Sequence, residues 1–179
     1  MRILFISDIH GITTNLHIIK EEKFDKLVVL GDLYYTGLNS NYTNKDINIL
    51  YVKELLEEYK DKLICLRGNC DSDVDIKASD FPICNNLTLI HTDNIDIYCT
   101  HGNEYSSEKN RKFDGVKGVL IYGHEHTPYI KKDNNMIYIN VGSISLPRNS
   151  SGPSYCIYED RTFTIYNIDK EVIDKVEVL

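Results

Sequence analysis

The sequence predicts an α/β protein of 179 residues in which two β-sheets face each other with helices outside. Three observations carry this expectation. The first half alternates short apolar runs with helical segments in a βαβαβ pattern. From Leu87 onward the pattern changes to short strands separated by turn residues, so the second half is mainly β. Runs such as Leu27 to Leu30 and Val119 to Tyr122 are apolar throughout, which suits strands covered on both faces.

Taken in order, Arg2 to Ser7 is a strand and about Thr14 to Lys23 a helix. Lys26 to Leu30 is the second strand, about Asp46 to Tyr59 the second helix, and Leu63 to Leu66 the third strand. The second helix carries Ile47, Leu50, Tyr51, Leu55 and Leu56 at helical spacing, which predicts a face laid on the sheet, with Asn44 as its cap. Later turns fall at Asp133-Asn134-Asn135, between Tyr129 to Lys132 and Met136 to Val141, and at Glu159-Asp160-Arg161.

The length fits one domain over residues 1–179, and composition shifts nowhere enough to mark a linker. The least ordered stretches expected are Gly37 to Asn44 and Ser106 to Lys112. A net charge of −7 leaves no basic footprint for a long nucleic acid, which leaves a small ligand or a short oligonucleotide. No run approaches the roughly 18 apolar residues of a membrane span, and Ile3 to Ile6 is too short for a secretory leader. The five cysteines form an odd set without paired metal spacing, which reads as reduced core thiols. Together these predict a cytoplasmic protein with no membrane partner, and they leave a homo-oligomer open.

Function is carried by five motifs, each at the C-terminal end of an apolar run. They are Asp8-Ile9-His10, Gly31-Asp32, Gly68-Asn69, His101-Gly102 and Gly123-His124-Glu125-His126. Ligands of open α/β sheets bind outside the carboxyl ends of strands, so the five loops should build one site. In Asp-x-His and His-x-His, side chains two apart on an extended segment share a face and reach one cluster. Carboxylate, imidazole and amide donors without thiolate favour Mn, Fe, Co, Ni or Zn in an open catalytic site.

This ordered set resembles the calcineurin-like metallophosphoesterase superfamily, and most closely its small bacterial YfcE-like phosphodiesterases. The closer likeness rests on Ser7-Asp8-Ile9-His10-Gly11, Arg67-Gly68-Asn69-Cys70-Asp71 and Asn140 to Pro147. The resemblance implies a four-layer α/β/β/α sandwich of two facing mixed sheets flanked by helices. It also implies that Asp8, His10 and His126 hold one divalent ion, Asn69, His101 and His124 a second, and that Asp32 bridges them. Manganese is the first expectation for that pair, with Ni, Co, Fe or Zn as alternatives. A hydroxide bridging such ions would attack a small phosphodiester in line.

Many superfamily members carry histidine after Gly-Asn, where this chain has Cys70. A thiol is a poor proton donor to a leaving alkoxide, so diesters with good leaving groups should be favoured over monoesters. Arg67 either contacts the phosphate or pairs with a carboxylate, and Arg148 is similar but leans structural. Cys70 forms part of the site wall. Asp71 and Ser143 shape loops, His17 and His91 are structural, and Tyr34 and Tyr35 line the cleft. Competing functions are a phosphomonoesterase, a small-nucleotide hydrolase and a non-catalytic protein-binding scaffold. The retained set of seven ligands argues against the scaffold.

Overall fold

The computed structural model describes residues 1–35, 46–84, 86–109, 111–113, 115–133 and 135–178. The loop expected at Gly37 to Asn44, the helix cap at Asn44, and Asn134 of the predicted turn lie outside these residues. The first half runs β1 (Ile3–Ile6), α1 (His17–Glu21), β2 (Lys26–Val29), α2 (Ile49–Glu58), β3 (Leu63–Leu66), α3 (Asp73–Ala78) and β4 (Ile83–Cys84). The second half runs β5 (Leu87–Thr92), β6 (Ile95–Thr100), a 3₁₀ turn (Arg111–Phe113), β7 (Gly118–Tyr122), β8 (Tyr129–Asp133) and β9 (Met136–Asn140). It ends with β10 (Ser154–Glu159), β11 (Thr162–Asn167) and β12 (Val172–Glu177).

A seven-stranded sheet has the order β12-β11-β10-β1-β2-β3-β4, and a five-stranded sheet the order β5-β6-β7-β9-β8. β1, β2 and β3 run parallel, as do β6 and β7, which sends the ends of these five strands toward one edge of the sandwich. Successive side chains of β1 face opposite ways. Leu4 and Ile6 pack under α1 and α2 with Leu27, Val29, Ile18, Val52, Leu55 and Leu56. Ile3 and Phe5 enter the core between the sheets, where Val28, Leu30 and Leu66 meet Ile97, Cys99, Val119, Ile121 and Ile139. On the far face of the smaller sheet, Leu120, Tyr122 and Tyr138 are covered by Phe113 of the 3₁₀ turn with Tyr98, Tyr105 and Val116.

Three expectations change in detail. α1 is shorter than Thr14 to Lys23, because the Thr13 carbonyl closes a turn to Leu16 and Asn15 turns its side chain to the Ile144 carbonyl, 2.8 Å away. α2 begins at Ile49, because Ile47 bridges Ile12 and the Asp46 carbonyl accepts from Thr13. Asn48 supplies the cap, accepting from the Tyr51 amide at 3.0 Å. With that start the buried face becomes Val52, Leu55 and Leu56, flanked by Tyr51 and Tyr59, and Leu50 stands 70% exposed. α3 and β4 were not expected, although Ser72 and Asp75 form a capping box whose spacing is visible in the sequence.

Candidate metal centre

All five motifs lie just beyond the ends of β1, β2, β3, β6 and β7. Asp8, His10, Asp32, His124 and His126 take left-handed backbone conformations, with φ of 56°, 53°, 56°, 64° and 59°. This corrects the pleated-strand argument. The two side chains of each x-separated pair converge because both residues are left-handed past the strand end, while Ile9 between the first pair turns into the core. Non-glycine residues held there cost of order 1–3 kcal/mol each and persist where surrounding contacts over-determine them. Two glycines permit the approach. A Cβ on Gly68 would lie 2.1 Å from Asp32 Oδ1, and one on Gly123 would lie 2.0 Å from Ser7 Oγ.

The donors meet in a buried cluster. His126 Nε2 lies 3.2 Å from Asp8 Oδ1, and His10 Nε2 lies 3.8 Å from that oxygen and 3.7 Å from Asp32 Oδ2. His101 Nε2 is 3.4 Å from Asp32 Oδ2 and 3.0 Å from Asn69 Oδ1. The His124 ring sits 5.0 Å from that of His101, and its backbone amide donates to Asp8 Oδ2 at 2.9 Å. Donor atoms of Asp8, His10 and His126 lie within 4.8 Å of one another, as do those of Asp8, Asp32 and His101, and those of His10, Asp32 and Cys70.

Three imidazoles are oriented by backbone carbonyls. Nδ1 of His10 bonds the Tyr35 carbonyl, Nδ1 of His126 that of Leu146, and Nδ1 of His101 that of Leu30 at 2.8 Å. Each Nε2 is thereby turned toward the carboxylates, the orientation that metal-ligating histidines take. Asp8 and Asp32 are both buried, and neither meets a lysine or arginine among the described residues. Asp8 Oδ1 has no hydrogen-bond partner there. Buried carboxylates without such partners need other positive charge, and divalent ions fit this donor set. Burial works to raise the Asp8 and Asp32 carboxyls, yet the neighbouring histidines hold both below the usual carboxylate range. Those carboxylates overcome burial at His101 and push its imidazole up to about 9.

The other expected residues separate. Arg67 pairs with Asp73 at 2.8 Å and donates to the Asp71 carbonyl, so it stays out of the cluster. Cys70 is in the wall: its amide donates to Asp32 Oδ1 at 2.8 Å, and burial with the charge of Asp32 pushes its thiol up to about 12. Tyr34 does not line the cleft, since it is buried in the core with its hydroxyl on Ser79. Tyr35 is 48% exposed. Ser143 shapes its loop, donating to the Asp8 carbonyl and accepting from the Ser145 and Leu146 amides. His17 bonds Thr14 and His91 pairs with Asp96, both away from the cluster. Sequence reasoning missed Asn140, which is fully buried and donates to the Gly123 carbonyl at 2.8 Å, and Tyr129, which reaches Glu125. A polar residue ending an apolar strand was the visible sign of Asn140.

The family model of the calcineurin-like phosphoesterase superfamily domain matches residues 1–162. The chain is 30% identical over 183 residues to phosphodiesterase YfcE of Escherichia coli (strain K12), covering 99% of this chain and 98% of that protein. The structure of YfcE, a phosphoesterase from E. coli, superposes with a TM-score of 0.88 at 29% identity over 100% of both chains. Vps29 from Cryptosporidium parvum shares the fold, with a TM-score of 0.67 at 14% identity over 99% and 98% of the two chains.

Proposed function

Because the chain belongs to the calcineurin-like phosphoesterase superfamily and is a metal-dependent phosphoric ester hydrolase of it, we propose that it cleaves a small phosphodiester at a two-ion site. The observation that carries this is the pair of buried carboxylates, Asp8 and Asp32, ringed by histidines whose Nε2 atoms face them. Asp8, His10 and His126 would hold one ion, Asn69, His101 and His124 the second, with Asp32 between them. Divalent ions there supply Lewis acidity toward the phosphoryl oxygens and a nucleophile drawn from water near neutral pH. Manganese suits the oxygen and imidazole donors, as do Ni, Co, Fe and Zn.

The chain's own residues set the preference among esters. The carbonyls of Leu30, Tyr35 and Leu146 hold three imidazoles in one tautomer, so the donors are placed before substrate arrives. Cys70 stands where, by the resemblance, many members of the wider superfamily carry histidine, and in the metal-free protein its thiol is pushed up to about 12. It offers little help to a leaving alkoxide, which favours diesters with good leaving groups. The net charge of −7 argues against a long nucleic-acid substrate and for a small ligand or a short oligonucleotide. The five free cysteines suit a reducing compartment, in line with a cytoplasmic enzyme. Among the described residues, no helix is long and apolar enough to cross a membrane.

The test is hydrolysis of a chromogenic aryl phosphodiester and its matching monoester by metal-stripped protein, with single divalent ions returned. Metal-restored cleavage that favours the diester is expected. A monoester preference would move the function to a phosphomonoesterase, and no turnover with bound metal would move it to a binding scaffold.

A further inference from the structure

Tyr129 lies outside the ligand set, yet it is tied to both loops that carry the histidines assigned to the second ion. Its hydroxyl is 2.6 Å from that of Tyr122 and 3.0 Å from Ser107 Oγ, and it donates to Glu125 Oε1 at 3.3 Å. The Ser107 amide donates to the Tyr122 hydroxyl at 3.0 Å. Ser107 lies in the loop that leaves His101, and Glu125 separates His124 from His126. Tyr122 and Ser107 are buried, so the bond between them is shielded from water, while those of the Tyr129 hydroxyl are partly so.

His124 depends on such support more than the other histidines do. Among the described residues, His10, His101 and His126 each bond a backbone carbonyl through the ring, whereas the His124 ring makes no hydrogen bond. Its left-handed backbone is held by the Asp8 carboxylate on one side and by the anchored Glu125 on the other. His126, on the same loop, has two further anchors, since its ring bonds Leu146 and its carbonyl accepts from the Arg148 amide at 2.9 Å.

We propose that Tyr129, with Tyr122 and Ser107, is a positioning brace that fixes His124 against His101 and so tunes the second ion site selectively. This rests on the ligand assignment proposed above. The experiment is a calorimetric titration of Mn²⁺ into metal-stripped wild type, Tyr129→Phe, Ser107→Ala and Tyr155→Phe. Tyr155 is the control. It is fully buried where Tyr129 is half-buried, and its hydroxyl donates to Glu22 at 3.1 Å, so its loss removes a tyrosine–glutamate bond away from the cluster.

Wild type should bind in two steps. Tyr129→Phe should weaken one step about five-fold, the equivalent of one hydrogen bond, and leave the other unchanged. Ser107→Ala should move the same step by less, and Tyr155→Phe should move neither. Both steps retained within two-fold in Tyr129→Phe would overturn the brace. Equal weakening in Tyr129→Phe and Tyr155→Phe would overturn it too, by showing a merely structural loss. Wild type that binds no ion would remove the ligand assignment itself, an outcome distinct from two unchanged steps.

Discussion

Asp71 is only 3% exposed, yet it contributes no donor to the metal cluster. Its carboxylate accepts from the amides of Asp32 at 2.9 Å, Leu33 at 2.7 Å and Gly68 at 2.7 Å, clamping the loop of Asp32 to the loop of Asn69. Burial still leaves its carboxyl above the usual range. Asp71→Ala would leave three buried amides unpaired, so we expect a loss of about 3 kcal/mol or more in urea unfolding with chelator present. A loss under about 1 kcal/mol would show that water takes over those amides. Cys70 allows a gain-of-function change. Its tie to Asp32 is through the backbone, so Cys70→His keeps it and adds a proton donor. Turnover of esters with poor leaving groups should rise relative to good ones, and an unchanged ratio would remove the proton-donor argument. At this scale the seven proposed ligands stand out in the sequence because side-chain type announces metal chemistry. The carbonyls of Leu30, Tyr35 and Leu146 that aim the imidazoles do not, since any residue supplies a carbonyl.

Strands were legible in proportion to their burial. β2 and β7 are covered on both faces and appear in the sequence as unbroken apolar runs. The phase of α2 was misread because Ile47 and Leu50 fit helical spacing, while the bridge from Ile47 to Ile12 delays the helix. A local pattern cannot show that its first apolar residue is already used by another segment. The corrected phase predicts opposite outcomes for two leucines of one helix. Leu50→Glu should change stability by no more than about 0.5 kcal/mol. Leu55→Ala, at a site 1% exposed, should cost about 2–5 kcal/mol. Chemical denaturation of both variants checks the assignment, and a large cost at Leu50 would restore the original face. The left-handed conformations at the ligands were hidden for a related reason. Sequence spacing fixes which residues sit two apart, but the turn beyond the strand end decides where they point.

Across the whole molecule, folding, protonation and metal binding are linked through the same buried groups. In the metal-free protein both His101 nitrogens face acceptors, Leu30 on one side and Asn69 with Asp32 on the other, which suits an imidazolium. Its folded pKa of about 9 lies above the ordinary 6.5 of the unfolded chain. The stability it contributes is therefore fully present below pH 6.5 and is lost as pH rises toward 9. Asp8 and Asp32 are shifted down, so their contribution is present above the ordinary carboxylate range and is lost as pH falls through and below it. The metal-free protein should accordingly be most stable between about pH 4 and pH 6.5. If His101 holds an ion as proposed, metal binding has the opposite preference on the alkaline side, because an ion at Nε2 would have to displace the His101 proton. Displacement of that one proton should raise apparent affinity by up to about ten-fold per pH unit above 6.5, levelling off near pH 9, with proton release visible as a dependence of the binding heat on buffer. Thermal melts with and without Mn²⁺ across that range test both halves at once: the metal-free melting temperature should fall while the shift produced by the ion grows. A metal-induced shift that stays flat from pH 6.5 to 9 would exclude His101 as the group whose proton and ion compete.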